Sequence, residues 1–491
     1  MQPQQRILNA ETLTRHGNVA GRQAMVQILE AGLQAADPYN NMIRLLRLDG
    51  DSLVIGHADF ILDGDPRQEP EEIDLREVDR ILVFGIGKGI QGAVKALEDT
   101  LGDRISGGHV IDKQGCPIIL ERIDVTLGAH PVPDAQCVAG CQRILDLTRD
   151  LTERDLVFTV IGNGVSSLLT LPVPGVSLED VRETTRMLQI ERGTPTNELN
   201  PVRNHLDQLK GGRIARHIHP ARAIHILTGS ALNYAAVMDC NVWLHTMPER
   251  STFAEAVAML KKWEAWEAVS PAVRDHLQAA DPALATVKRD EYEQYRFRVF
   301  EVMPQHLAML PTARRVAEEL GFAAHVLYRY SHMEASTAAT MAGSIALNIE
   351  EYGEPFEPPC VLLGGHELLV TVGQGNGMGG RNQEWALAAA RRIAGSPNIV
   401  MGSVDSDGND GPGHQFGGDP SVPVLAGGIV DGETWAQAHQ AGFDADAELR
   451  RHNTSPVLWA IDSGVQTTYS ISINDLTVIM VLGRSAPRQH P

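Results

Sequence analysis

RILVFGIGKGIQGAVKALEDTL, residues 80–101, is a short aliphatic run that ends in glycines and passes at once into a helix-forming segment. The run is too short for a helix and reads as a buried strand, while the segment that follows has helical length and composition. The same alternation continues with GGHVIDK (107–113), CQRILDLTRDL (141–151) and LVFTVIG (156–162). Strand, helix, strand, helix, strand is the order of a parallel sheet covered by helices, because parallel neighbours need a crossover connection. The fold class is therefore α/β, and the first domain is a Rossmann-like parallel sheet.

A further strand, RAIHILTG, ends near residue 229, and residues 261–305 are charged and mostly helical in pattern. The domain junction is expected in or near that segment, giving an N-terminal α/β domain over 1–285 and a C-terminal one over 286–491. The second domain offers the strands HVLYRY, PCVLLGG, ELLVTVG, NIVMGSV and LTVIMVLG, interleaved with helices. A chain of 491 residues exceeds the size at which a single core stops growing, so two or three domains are expected.

The chain carries 42 Lys plus Arg against 62 acidic residues, a formal net charge of −20. Such a balance argues against a nucleic-acid or anionic-membrane partner, so any anion site must be a local basic exception. The N-terminal MQPQQRILNAETLTRHG lacks the apolar core of a signal peptide, and no run is long enough to span a bilayer. A cytoplasmic protein is the expectation. The five cysteines have neither zinc-ribbon nor redox spacing and read as ordinary thiols.

Glycine loops at strand ends are where parallel sheets bind ligands. Gly87-Lys88-Gly89-Ile90-Gln91-Gly92 matches G-x-G-x-x-G, and Asp112 closes the next strand about twenty residues on, as in a dinucleotide fold. Lys88 stands at the very start of the helix, however, and suits a phosphate or carboxylate as well as a pyrophosphate. Asn163, Ser166 and Ser167 form a second strand-end loop of amides and hydroxyls. Lys210-Gly211-Gly212-Arg213 follows the polar helix NPVRNHLDQL and adds positive charge; its Gly211 reads as a helix C-cap.

GMGGRNQEWALAAARR, residues 377–392, sets Arg381, Asn382 and Glu384 at the start of a helix whose first N–H groups lack partners. An anion would satisfy both those groups and the Arg381 fork. DSDGNDGPG, residues 405–413, is a strand-end loop whose Asp407 and Asp410 could hold Mg²⁺ or act as a base on a hydroxyl; a solvated turn is the plain alternative.

Together these stretches resemble the class II glycerate kinases, the MOFRL-type family once named hydroxypyruvate reductases. The resemblance rests on 84–97, GAHPVPDAQCVAG (128–140), NELNPVRNHLDQLKGGRIA (197–215), 375–390 and 405–413, which span most of the chain in order. It implies an ATP- and Mg²⁺-dependent transferase that phosphorylates the 2-hydroxyl of D-glycerate or a related hydroxy acid, in a cleft between two α/β domains. It implies Lys88, Arg381, Asp407 and Asp410 as the catalytic group. Gly87, Gly89, Asn163, Ser166, Ser167, Arg203, Lys210, Asn382 and Glu384 would bind substrate or phosphate. The metal ligands stay open, and a homodimer is the one macromolecular partner left open.

The chain departs from the family at 162–167, 228–233, Trp243-Leu244-His245-Thr246 and 467–472, where larger residues replace small ones. If Trp243 and Tyr469 intrude, nucleotide phosphates lose their room. The rival expectations are therefore an ATP-independent isomerase, lyase or decarboxylase on the same scaffold, an NAD-dependent reductase using 87–92 and Asp112, and a binding protein without catalysis.

Overall fold

The computed structural model of the chain describes residues 5–229, 233–304, 308–331, 333–365, 367–372, 377–414, 418–471 and 473–486. It divides into two units, residues 38–305 and residues 1–37 with 306–491. This differs from a division at 285/286. The segment over 261–305 that reads as a helical junction contains the strand Phe297–Glu301, which pairs in parallel with Arg222–Leu227 and completes the first sheet. The N-terminal helix Val19–Ala35 packs instead on the strands Ile399–Asp405 and Asp475–Val481 of the second.

Within residues 38–305 the sheet has six parallel strands, in the order Asp124–Gly128, Ile105–Lys113, Arg80–Ile86, Asp155–Ile161, Arg222–Leu227, Phe297–Glu301. Every residue of Asp155–Ile161 is buried, as continuous apolar runs demand when helices cover both faces. Chain order runs outward in opposite directions from the pair Arg80–Ile86 and Asp155–Ile161, so the topological switch point lies between them. Ligands of open α/β sheets bind at the carboxyl ends of strands at that point. The loops leaving those two strands touch: a Cβ on Gly87 would lie 2.9 Å from the Gly162 Cα.

The second unit is also α/β, but its six-stranded sheet is mixed: Ala323–Tyr328 and Cys360–Gly364 are parallel and the remaining neighbours antiparallel. ELLVTVG is not a strand. Among its described residues only Leu369 bridges, to Glu334, and Gly373 lies outside the described residues. Gly427–Asp431 and Gly464–Val465, too short or too glycine-rich to read from periodicity, complete the sheet. Among the described residues no helix is long and apolar enough to cross a membrane.

Candidate functional site

The switch point of residues 38–305 opens into a cavity of about 540 Å³ lined by residues that include His130, Asn163, Ser166, Gln189, Arg203 and Trp243. Arg203, on the helix Thr196–His205, is 8% exposed, and its hydrogen bond goes to the neutral Gln189 Oε1 at 2.6 Å. Among the described residues no carboxylate meets it. Burial lowers its pKa to about 10 with nothing offsetting the loss of water. A guanidinium buried without a counter-ion beside a cavity is a site for an anion.

Lys88 lies against the same wall. Its backbone N–H donates to the Asn163 carbonyl at 2.7 Å, and its stem crosses Gly164, where an added Cβ would fall 2.8 Å from the Lys88 Cγ. Gly164 has φ of +82°, so glycine serves there both for the backbone and for the close approach. Lys88 is half-buried, and among the described residues its ammonium has no acidic partner. His130 responds to this setting: burial, then the charges of Lys88, Lys113 and Arg203, hold its pKa down to about 4. The sequence reading missed His130, whose only signal is its place in the GAHPVP stretch.

Several expected site residues of this unit are engaged within the protein. Lys210 is fully buried, donating to Asp207 Oδ2 at 2.7 Å and Thr170 Oγ1 at 2.9 Å, and holds a loop rather than facing the cavity. Ser167 lines the cavity, although its hydroxyl donates to the Ala129 carbonyl at 3.3 Å. Gly211 does not cap the helix Thr196–His205, whose C-cap is Leu206; with Gly212 it forms a left-handed turn ahead of Arg213–Ile218. The Gly89 N–H is taken by Asp112 Oδ1 at 2.8 Å, and Asp112 Oδ2 accepts from Gln91 at 3.0 Å. An aspartate tied to its own glycine loop is not free for a ribose hydroxyl, which removes the main support for a dinucleotide.

In the second unit the anion expected at Arg381 and the helix start belongs to the protein itself. Arg381 grips Asp475 with both prongs, Nε to Oδ2 at 2.5 Å and Nη2 to Oδ1 at 2.9 Å, and reaches Asp405 at 2.7 Å. Asp410, fully buried, accepts from the backbone N–H groups of Asn382 at 3.1 Å and Gln383 at 2.9 Å. It thus closes the N-terminus of the helix Arg381–Arg392, a use of the carboxylate that is structural. Asn382 also accepts from Ser403, and Glu384 bonds His452 Nδ1 at 2.7 Å.

Asp405 and Asp475 share Arg381, and burial followed by repulsion from neighbouring carboxylates raises the pKa of Asp405. Burial likewise raises Asp475, against the bonds from Arg381. Asp407 is half-exposed and not ion-paired with Arg381. Asp405 and Asp475 are functional candidates that the residue pattern left in the background, since only the fold brings strands ending at 405 and starting at 475 side by side. Among the described residues no group of three or more His, Cys, Asp or Glu is placed to hold a metal ion.

Of the substituted residues, Trp243 belongs to the cavity of residues 38–305 and Tyr469 to the other unit. Trp243 stacks against Gly229 and forms one wall of that cavity, and Tyr469 is 49% exposed. Ser230, Ala231, Leu232 and Ser472 lie outside the described residues, as do Gly375 and Asn376.

Residues 24–278 match a domain family described as of unknown function, DUF4147, and residues 360–474 match the MOFRL family. A glycerate 2-kinase of Pyrococcus horikoshii is 29% identical over 470 residues, covering 94% of this chain and 98% of the relative. A D-glycerate 2-kinase of Thermotoga maritima is 30% identical over 424 residues, covering 85% and 94%. Among solved structures, a protein of P. horikoshii has a TM-score of 0.71 at 29% identity, covering 94% of this chain and 99% of its own. A glycerate kinase of T. maritima has 0.70 at 26%, covering 94% and 100%.

Proposed function

Since the chain belongs to the glycerate 2-kinase family, the pairing of a DUF4147 with a MOFRL domain, we propose that it transfers phosphate from ATP to the 2-hydroxyl of D-glycerate or a closely related short hydroxy acid. The family's named relatives are phosphotransferases, and this chain is an enzyme of that kind. The observation that carries the substrate reading is Arg203, a buried cation that lines a cavity where, among the described residues, no carboxylate stands. A short hydroxy acid brings the missing carboxylate, and a guanidinium holds both of its oxygens.

Lys88 fits a phosphoryl oxygen, since it is half-buried beside the Gly87 and Gly162 loops and has no acidic partner among the described residues. Its charge is worth most in the transition state, when negative charge spreads over the transferring group. Asn163, at the rim, has an amide suited to the same oxygens. Nucleotide-bound Mg²⁺ needs only one or two carboxylates from protein, and Asp407, half-exposed at a strand end of its own unit, is a carboxylate suited to supply one. ATP with Mg²⁺ supplies the phosphoryl group when bound. Arg381 in this reading fixes the carboxylates around it, and Asp410 fixes the helix that carries Arg381.

The test is a single assay. Purified protein is incubated with ATP, Mg²⁺ and a panel of short hydroxy acids, while ADP is followed by coupled detection and NADH by absorbance. ADP formation that depends on D-glycerate is expected. NADH turnover without ADP, or silence in both channels while an organic acid binds by calorimetry, would overturn the kinase reading.

A further inference from the structure

Ser166 stands in the cavity wall at the carboxyl end of the strand Asp155–Ile161, and two buried side chains close on its hydroxyl from behind. Asn200 donates Nδ2–H to Ser166 Oγ at 3.1 Å, and His245 Nε2 lies 3.0 Å from the same oxygen. Asn200 is 0% and His245 1% exposed.

The His245 ring could serve Ser166 in two ways, as a base that takes its proton or as a donor to its oxygen. Charge decides against the base. His245 is fully buried, and burial, then Lys210, Arg203 and Arg213, hold its pKa well below the usual histidine range. An imidazolium formed there would be buried and would face three cations. Among the described residues its Nδ1 has no partner at all, so no third residue orients it as a catalytic base needs.

The tautomer follows from the same orphan. A buried N–H without an acceptor is the rarer and costlier failure, whereas a buried lone pair without a donor is more readily borne. The proton therefore sits on Nε2, and Nε2–H donates to Ser166. A serine oxygen has two lone pairs and one hydrogen. Asn200 and His245 fill both lone pairs, and the hydroxyl hydrogen has only the cavity to point into.

We infer that His245 and Asn200 lock Ser166 as an obligate hydrogen-bond donor in the cavity that Arg203 also lines, so that this cavity selects a ligand group made only of acceptors, an ionised carboxylate, against the isosteric amide. The inference rests on the hydroxy-acid reading of the cavity, but not on phosphoryl transfer. His245 acts through Ser166 and is a positioning residue. The amide is disfavoured because its NH₂ cannot accept from the Ser166 hydroxyl or the Arg203 guanidinium, whereas either oxygen of a carboxylate can.

Calorimetry without nucleotide measures binding of D-glycerate and of its amide, glyceramide, to the wild type, Ser166→Ala, His245→Leu, His245→Gln and the Ser166→Ala/His245→Leu double variant. D-glycerate is expected to bind the wild type at least ~100-fold more tightly than glyceramide, the scale of a misplaced donor against a charged partner. Ser166→Ala should weaken D-glycerate about tenfold or more and shrink the discrimination. His245→Leu should weaken it less, His245→Gln should restore most of the loss because its amide also donates, and His245→Leu should add nothing in the Ser166→Ala background.

In steady-state assays the same variants should raise KM far more than they lower kcat. Additive effects in the double variant, or equal affinity for acid and amide in the wild type, would overturn the inference; so would failure of D-glycerate and other short carboxylates to bind folded protein. The amide comparison needs no variant, so a His245→Leu that fails to fold leaves the question decidable. If the cycle closes as expected but no ADP forms, the inference stands and the kinase reading falls. If ADP forms with an additive cycle, the reverse holds.

Discussion

Replacing Arg203 by methionine should stabilise the ligand-free protein while nearly abolishing its affinity for the acid. The guanidinium is 8% exposed, and its pKa falls to about 10 through burial alone. At about 1.36 kcal/mol per pKa unit, keeping it charged in that setting costs the folded state roughly 3 kcal/mol. Methionine fills much of the same volume without that penalty, and the lost bond to Gln189 returns about 1 kcal/mol at most, because Gln189 lines the cavity and can reach water. The net gain expected is about 1–2 kcal/mol, or roughly 2–8 °C in the midpoint of the unfolding transition that D-glycerate shifts. With D-glycerate present the order should reverse, since the variant loses about 2–3 kcal/mol of binding, some 30- to 150-fold in Kd. Scanning calorimetry with and without the acid reads the first quantity and titration calorimetry the second. A variant destabilised by more than about 1 kcal/mol that still binds D-glycerate normally would refute the argument and make Arg203 a structural cation.

Three further outcomes are expected. Lys210→Met should cost about 3–5 kcal/mol, because it strands Asp207 in the interior, and Lys210→Met/Asp207→Asn should recover a large part of it; unchanged melting in the single variant would return Lys210 to the binding group. Asp410→Ala should lower stability by about 1–2 kcal/mol through the uncapped helix Arg381–Arg392, with turnover falling only as the folded fraction does. A loss of activity beyond tenfold at unchanged melting would instead make Asp410 chemical. The His130 ring should titrate near pH 4 by NMR in the free protein, because burial and then nearby cations disfavour its charged form. An acid anion bound beside Arg203 offsets those cations, so the titration should move upward and affinity should rise as pH falls toward the new value; an unmoved titration would place the anion elsewhere.

The sequence by itself determined the α/β class, most of the strands and the loops that matter, because continuous apolar runs and helical stretches are local signals, and glycines at strand ends mark where backbone must approach a ligand. Lys88, Asn163 and Ser166 stand out in the sequence for that reason, and Arg203 only through the family resemblance. Charge partnership was not. Arg381 and Arg203 look alike in sequence, each near glycines and a helix. Only the pairing of Ile399–Asp405 with Asp475–Val481 brings two carboxylates to Arg381, whereas among the described residues no carboxylate reaches Arg203. Asp410 in the same way reads as a free carboxylate until the chain folds it under the helix of Arg381, and Lys210 as a free cation until Asp207 closes on it. Whether a charge is available to a ligand depends on what lies within a few ångströms of it across long sequence separations, and tertiary structure alone decides that.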